Sequence, residues 1–112
     1  MLTDQEMKQI AEKYLLFKML NSNIDIALYD FQTKKEYGNI YYYQSKNFLL
    51  TNDEKYLIGG NAPFLVEKAT GRIVIFGTAY PEEHYIKAYE NDALEPVLRR
   101  YWYPETETYS HK

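Results

Sequence analysis

The stretch from Ile58 to Thr78 constrains the fold most, because it compresses a turn, a strand, a glycine turn and a second strand into about twenty residues. Pro63 biases Ala62 toward extended geometry, and Phe64 to Glu67 reads as a short apolar strand. Ala69-Thr70-Gly71 supplies turn chemistry, and Arg72 to Phe76 is β-branched and apolar. The segment therefore reads as a β-hairpin. Gly60 and Gly71 stand where a tight turn favours a residue without a β-carbon, with Asn61 and Pro63 completing the first turn.

Other elements follow from periodicity. Thr3 and Glu6 form a capping box, and Met7, Ile10, Ala11, Tyr14 and Leu15 recur at helical spacing, which predicts a helix from about Asp4 to Leu20. Leu16, Phe17, Met19 and Leu20 widen its apolar face, so its C-terminal end is expected to lie deepest in the core. Ile24, Ile26 and Leu28 alternate with polar or smaller residues as in a half-buried strand. Gln32 to Glu36 then reads as a loop or hairpin tip, and Ile40 to Gln44 as a strand. The adjacent Tyr41, Tyr42 and Tyr43 cannot all face one way.

Phe48-Leu49-Leu50 and Tyr56-Leu57-Ile58 are further short apolar runs, separated by a turn at Thr51 to Glu54. Pro81, followed by Glu82 and Glu83 in a first turn, predicts a second helix near 81–90, with Tyr85, Ile86 and Tyr89 as its apolar stripe. Val97 to Tyr103 fits a strand by propensity or a short helix with Pro96 at its first position; the strand is the expectation. The polar tail from about 104 is expected to fray. The fold class that emerges is α+β, with an N-terminal helix covering a mostly antiparallel sheet of about five strands.

At 112 residues the expected count is one domain, spanning 1–112, and such a chain buries roughly 65 % of its unfolded surface. With 46 % hydrophobic and 26 % charged residues, the composition is that of an ordinary globular domain. Cysteine is absent, which excludes disulfides and thiolate metal sites and fits a reducing compartment. The N-terminal residues lack a secretory pattern and no run is long enough to span a membrane, so a soluble, cytoplasmic protein is expected. The net charge of −3 and the scattered basic residues argue against nucleic-acid binding.

No constellation of reacting groups emerges. His84 lacks a second histidine at helical spacing, His111 is in the tail, and no metal or other cofactor is expected. Ser22, Ser45 and Ser110 lie outside any nucleophile motif, and Gly59-Gly60-Asn61 lacks the Lys-Ser/Thr and following helix of a phosphate loop. An enzyme is not expected. The chain is instead rich in tyrosine, with thirteen, a residue suited both to wet cores and to protein interfaces.

Acid concentrates at Glu82, Glu83, Glu90, Asp92 and Glu95, which reads either as a solvated helix face or as a partner-binding surface. Tyr101 and Trp102, beside Arg99 and Arg100, have the chemistry of an interface centre, although Trp102 equally fits a core lid. The candidate contact region is therefore Glu82, Glu83, Glu90 and Asp92 with Tyr101 and Trp102.

The order G-N-x-P, an acidic position four residues on, T-G, an apolar run and G-T resembles the immunity protein 35 family. The resemblance extends to the Thr3 helix, the aromatic segment Tyr37 to Ser45, and the proline-started helix at Pro81, ending near Tyr89. Asn39 stands where the family pattern has an aromatic residue, and the residues after Asp92 extend beyond it. The resemblance implies a small cytosolic immunity protein that neutralises a cognate bacterial toxin by stoichiometric binding. The alternative is a chaperone-like or stress-related adaptor of the same fold, binding protein clients through exposed apolar or tyrosine-rich surface.

Overall fold

Thr3 closes the capping box in full: its side chain accepts from the Glu6 amide, and the Glu6 carboxylate accepts from the Thr3 amide. Helix α1 (Asp4–Leu20) follows. The structure, a computed structural model, describes residues 1–111; Lys112, the last residue of the polar tail, lies outside the described residues. The chain continues through β1 (Ile26–Lys35), β2 (Gly38–Ser45), α2 (Lys46–Thr51), a 3-10 turn (Glu54–Tyr56), β3 (Phe64–Glu67) and β4 (Ile73–Ile75). It ends with α3 (Glu82–Glu90), β5 (Tyr101–Tyr103) and β6 (Thr108–Ser110).

The fold is α+β, and its single antiparallel sheet runs in chain order from β1 to β6, with six strands where about five are expected. Helix α1 covers one face of this sheet, packing Met7, Ala11, Tyr14 and Leu15 on Tyr41, Tyr43, Phe64, Val66, Ile73 and Trp102. Helix α3 closes the opposite face, where Tyr85 joins Ile40, Leu65, Val74 and Phe76. Covering both faces explains why β2 is buried almost continuously instead of alternating, and the tyrosine triplet divides accordingly: Tyr41 and Tyr43 toward α1, Tyr42 toward α3.

Several expectations need correction. The deep part of α1 is its middle, because Leu16 and Leu20 are exposed and Phe17 is only partly buried. Strand β1 begins at Ile26 rather than Ile24 and runs to Lys35 through the charged stretch read as a tip. That stretch lies on an edge strand with its outer side in water, and pairing of Lys35 with Gly38 leaves only Glu36 and Tyr37 in the turn. Phe48-Leu49-Leu50 is helical, since the Ser45 side chain accepts from the Phe48 amide and Asn52 ends the turn at φ 59°. Tyr56 belongs to a 3-10 turn capped by Asp53.

The two glycine turns take the expected geometry, with φ of 73° at Gly60 and 79° at Gly71. Asn61 donates its side-chain amide to the Tyr43 carbonyl at 2.7 Å, tying the turn to β2. The Pro63 carbonyl accepts from the Phe76 amide, extending the β3–β4 pairing by one bond. Near the C-terminus the strand is confined to Tyr101–Tyr103, with a turn at 97–100. The tail does not fray: Thr108–Ser110 pairs with β5 and places Tyr109 opposite Trp102. Lys13 of α1 donates to the Pro104 carbonyl at 2.7 Å, holding that last hairpin against the helix.

Candidate functional site

Helix α3 begins at Glu82 with Pro81 as its cap, and the stripe Tyr85, Ile86 and Tyr89 turns it toward the sheet. Its acidic residues do not share one environment. The Tyr42 hydroxyl donates to Glu82 at 2.5 Å and the Tyr37 hydroxyl donates to Glu90 at 2.6 Å. Both tyrosines project from the hairpin region of β1 and β2, so one carboxylate at each end of α3 is strapped to the sheet. Burial first, then the adjacent carboxylate, pushes the Tyr42 phenol up to about 12 and raises that of Tyr37 as well.

Beside the Tyr37 strap lies Glu67, the last residue of β3, which pairs with Gly38. It accepts two hydrogen bonds from Arg72, at 2.6 and 2.9 Å, and one from the Tyr89 hydroxyl. Burial alone would raise the Glu67 pKa, but the bonds from Arg72 and Tyr89 outweigh it and hold the carboxyl below its usual value. The guanidinium of Arg72 also lies 4.1 Å from the ring centre of Tyr101. Tyr101 is thus half-buried beneath a cation.

The sequence-derived contact residues separate into three groups. Glu83 and Asp92 are exposed, with Asp92 at φ 52° just past the helix, and Glu95 is exposed beyond them. Glu82, Glu90 and Tyr101 are engaged in packing α3 onto the sheet. Trp102 has no exposed surface; it packs on Tyr14 and Phe17, with ring centres at 5.1 and 5.3 Å, and is a core residue rather than a contact residue. Arg100 also turns inward, donating to the carbonyls of Ile75 and Glu95, while Arg99 stays exposed beside the Tyr109 ring.

Asn39 is buried and donates to the Asp4 carboxylate at 3.1 Å. Asp4 in turn accepts from Lys34 at 2.7 Å, so the start of α1 is tied to both β1 and β2. His84 stacks on Tyr80 with ring centres 4.3 Å apart at the surface. Among the described residues no group of three or more His, Cys, Asp or Glu side chains is placed to hold a metal ion, and no helix is long and apolar enough to cross a membrane.

Comparison with known proteins adds one relative. No family model matches the chain, and no solved structure matches it. Over 53 residues, 47 % of this chain, it is 42 % identical to a protein of Escherichia coli (strain K12) named "Uncharacterized protein YrhB". The match covers 56 % of that protein, so the chain spans about half the length of the curated relative it matches.

Proposed function

We propose that the protein is an immunity protein that neutralises a cognate bacterial toxin by forming a stoichiometric complex in the cytoplasm, without chemistry of its own. The reading rests on the resemblance carried by the Gly60-Asn61-Ala62-Pro63 turn, the Thr70-Gly71 hairpin and the Pro81 helix. The observation that carries it furthest is the division of labour along α3. Glu82 and Glu90 fasten the helix to the sheet, and Glu83, Asp92 and Glu95 are left as an acidic rim on a fixed support. A preorganised acidic rim suits occupation of a basic, substrate-binding cleft, because complementary charge accelerates encounter and a fixed helix loses little freedom on binding.

The test is co-expression with the toxin encoded beside this gene, together with titration calorimetry of the purified pair. Rescue of growth and a one-to-one complex are expected. The double variant Glu83→Lys, Asp92→Asn should associate more slowly and with a weaker dependence on salt, while melting as the parent does. Absence of any complex with that toxin, combined with suppression of aggregation of unrelated heat-denatured proteins, would establish the chaperone-like adaptor instead.

A further inference from the structure

A second feature lies on the opposite face of the sheet from α3, under the Gly59-Gly60-Asn61 turn that the sequence marks as structural. There a cavity of about 520 Å³ opens between the end of α1, the start of β1, that turn and the C-terminal hairpin. Among the described residues two cations reach it, Lys18 from α1 and Arg99 from the segment before β5, and no carboxylate lines it. Its walls include Tyr43 and Tyr109, and the Lys18 ammonium lies 5.8 Å from the Tyr43 ring centre. Two positive groups converging without a counter-charge leave an unneutralised field inside a partly enclosed space.

A second, independent observation comes from Tyr43. It is 6 % exposed and lines the cavity, yet its hydroxyl has no hydrogen-bond partner among the described residues. The hydroxyl is open to the cavity and not sealed in the core, so it is a donor available to whatever enters. The backbone amides of Gly59, Gly60 and Asn61, on the cavity rim, also take no acceptor from the described residues. Among the described residues the inventory is one-sided: cationic and neutral donors, aromatic and aliphatic walls, and no acid.

We propose that this cavity binds a small organic anion, a carboxylate or phosphate ester carried on an aromatic or aliphatic body. The anionic group sits between Lys18 and Arg99 and accepts from the Tyr43 hydroxyl, while the apolar body lies against Phe17 and Tyr109. The volume is within the range that takes a small-molecule ligand. Burial, with Arg99 as the neighbouring like charge, lowers the pKa of Lys18, the response expected of an ammonium that lacks its counter-ion. The site is separate from the acidic rim of α3 and does not depend on the toxin-binding reading.

The experiment is a ¹H–¹⁵N NMR titration of the full chain with phenyl phosphate, benzoate and inorganic phosphate, each against sodium chloride at matched ionic strength. Phenyl phosphate or benzoate should give saturable shifts confined to Lys18, Arg99 and the amides of Gly59, Gly60 and Asn61, with a dissociation constant near or below about 1 mM. Inorganic phosphate, lacking the apolar body, should bind more weakly. Lys18→Met, which keeps the apolar stem, and Arg99→Met at the exposed position should each weaken binding at least tenfold. Lys8→Met, elsewhere on α1, should not. Non-saturating shifts, shifts spread over all basic residues, or unchanged affinity in both the Lys18 and Arg99 variants would overturn the site.

Discussion

The hydroxyl of Tyr42 bridges two elements: it lies 2.7 Å from the Thr33 hydroxyl on β1 and donates to the Glu82 carboxylate, the first residue of α3, at 2.5 Å. Tyr42 and Glu82 are 40 positions apart in sequence, so this contact fixes the start of a short helix through the sheet rather than through its own cap. Pro81 makes no side-chain capping bond, and the acidic first turn receives its positional restraint from β2.

Removing that hydroxyl should therefore loosen α3. Tyr42→Phe is expected to lower stability by about 0.5 to 1.5 kcal/mol, the usual range for one hydrogen bond, and Tyr37→Phe by a similar amount at the other end of the helix. The two effects should be close to additive, because the contacts sit at opposite ends of α3 and share no partner. Hydrogen exchange read on the α3 amides provides the check. Unchanged protection there in the double variant would mean that the apolar contacts of Tyr85 alone hold the helix.

Gly71 faces two constraints at once. Its φ of 79° disfavours any residue with a β-carbon, and a β-carbon built there would lie 2.8 Å from Ile10 Cδ1, on the helix that covers the sheet. Gly71→Val should destabilise by more than about 2 kcal/mol, adding a clash with α1 to the backbone strain. Gly71→Ala in an Ile10→Ala background separates the contributions, because it removes the clash and leaves only the dihedral term. Chemical denaturation of Gly71→Val, of Ile10→Ala and of the Ile10→Ala, Gly71→Ala pair measures both parts. A Gly71→Val midpoint equal to that of the parent would contradict the geometry.

Local signals were the legible ones. Thr3 with Glu6, Thr70-Gly71 and Pro81 with its acidic first turn each act within a few residues, and α1, the β3–β4 hairpin and α3 lie where these signals put them. The misread elements had competing local signals or depend on distant partners. Phe48-Leu49-Leu50 is a helical turn because of Ser45 and Asn52, a cap signal present in the sequence but outweighed by a short apolar run equally suited to a strand. Thr108 to Ser110 is a strand because Trp102 and Tyr14 give Tyr109 a place to dock. At the candidate site, Glu82 and Glu83 are adjacent and chemically alike, and only the position of Tyr42 makes one a strap and leaves the other on the rim. Lys18 and Tyr43 carry no local signal at all, because their cavity exists only once four segments meet.

The pH dependence should come from both ends of the scale. The bonds from Arg72 and Tyr89 hold the Glu67 carboxyl below the 4.5 of an ordinary glutamate, so its pairing with Arg72 contributes stability that is present above that value and lost as pH falls through the lower folded-state pKa. Stability should decline progressively below about pH 4.5, and Glu67→Gln should flatten that decline while lowering stability near neutrality, where Arg72 would lose its counter-charge. At the alkaline end Tyr42 and Tyr43 are raised to about 12 from 10.0, mainly by burial. A raised folded-state pKa contributes stability that is present below 10 and lost as pH rises toward 12, so a second decline is expected across that interval. Urea midpoints measured across both ranges test this, alongside tyrosinate absorbance. All tyrosines ionising together near 10, with no loss of stability in acid, would contradict it.

The C-terminal strand should matter more than its length suggests. Tyr109 pairs with Trp102 across β5 and β6, its hydroxyl lies 3.0 Å from that of Tyr14, and its ring packs edge-on against Tyr14 and Phe17 at 6.2 and 5.8 Å. The ring therefore closes the edge of the α1-facing core beside Trp102, whose indole N–H has no hydrogen-bond partner among the described residues. Tyr109→Ala would admit water next to that indole and strip the Tyr14 hydroxyl of its partner, an expected loss on the order of 2 to 4 kcal/mol. Tyr109→Phe, which keeps the ring, should lose only about 0.5 to 1.5 kcal/mol. Because the chain contains a single tryptophan, its fluorescence reports this one site. The emission of Tyr109→Ala should shift to the red under native conditions, whereas that of Tyr109→Phe should stay where it is. An alanine variant with the parent's emission maximum and midpoint would show that β6 is dispensable and that α1 alone seals Trp102.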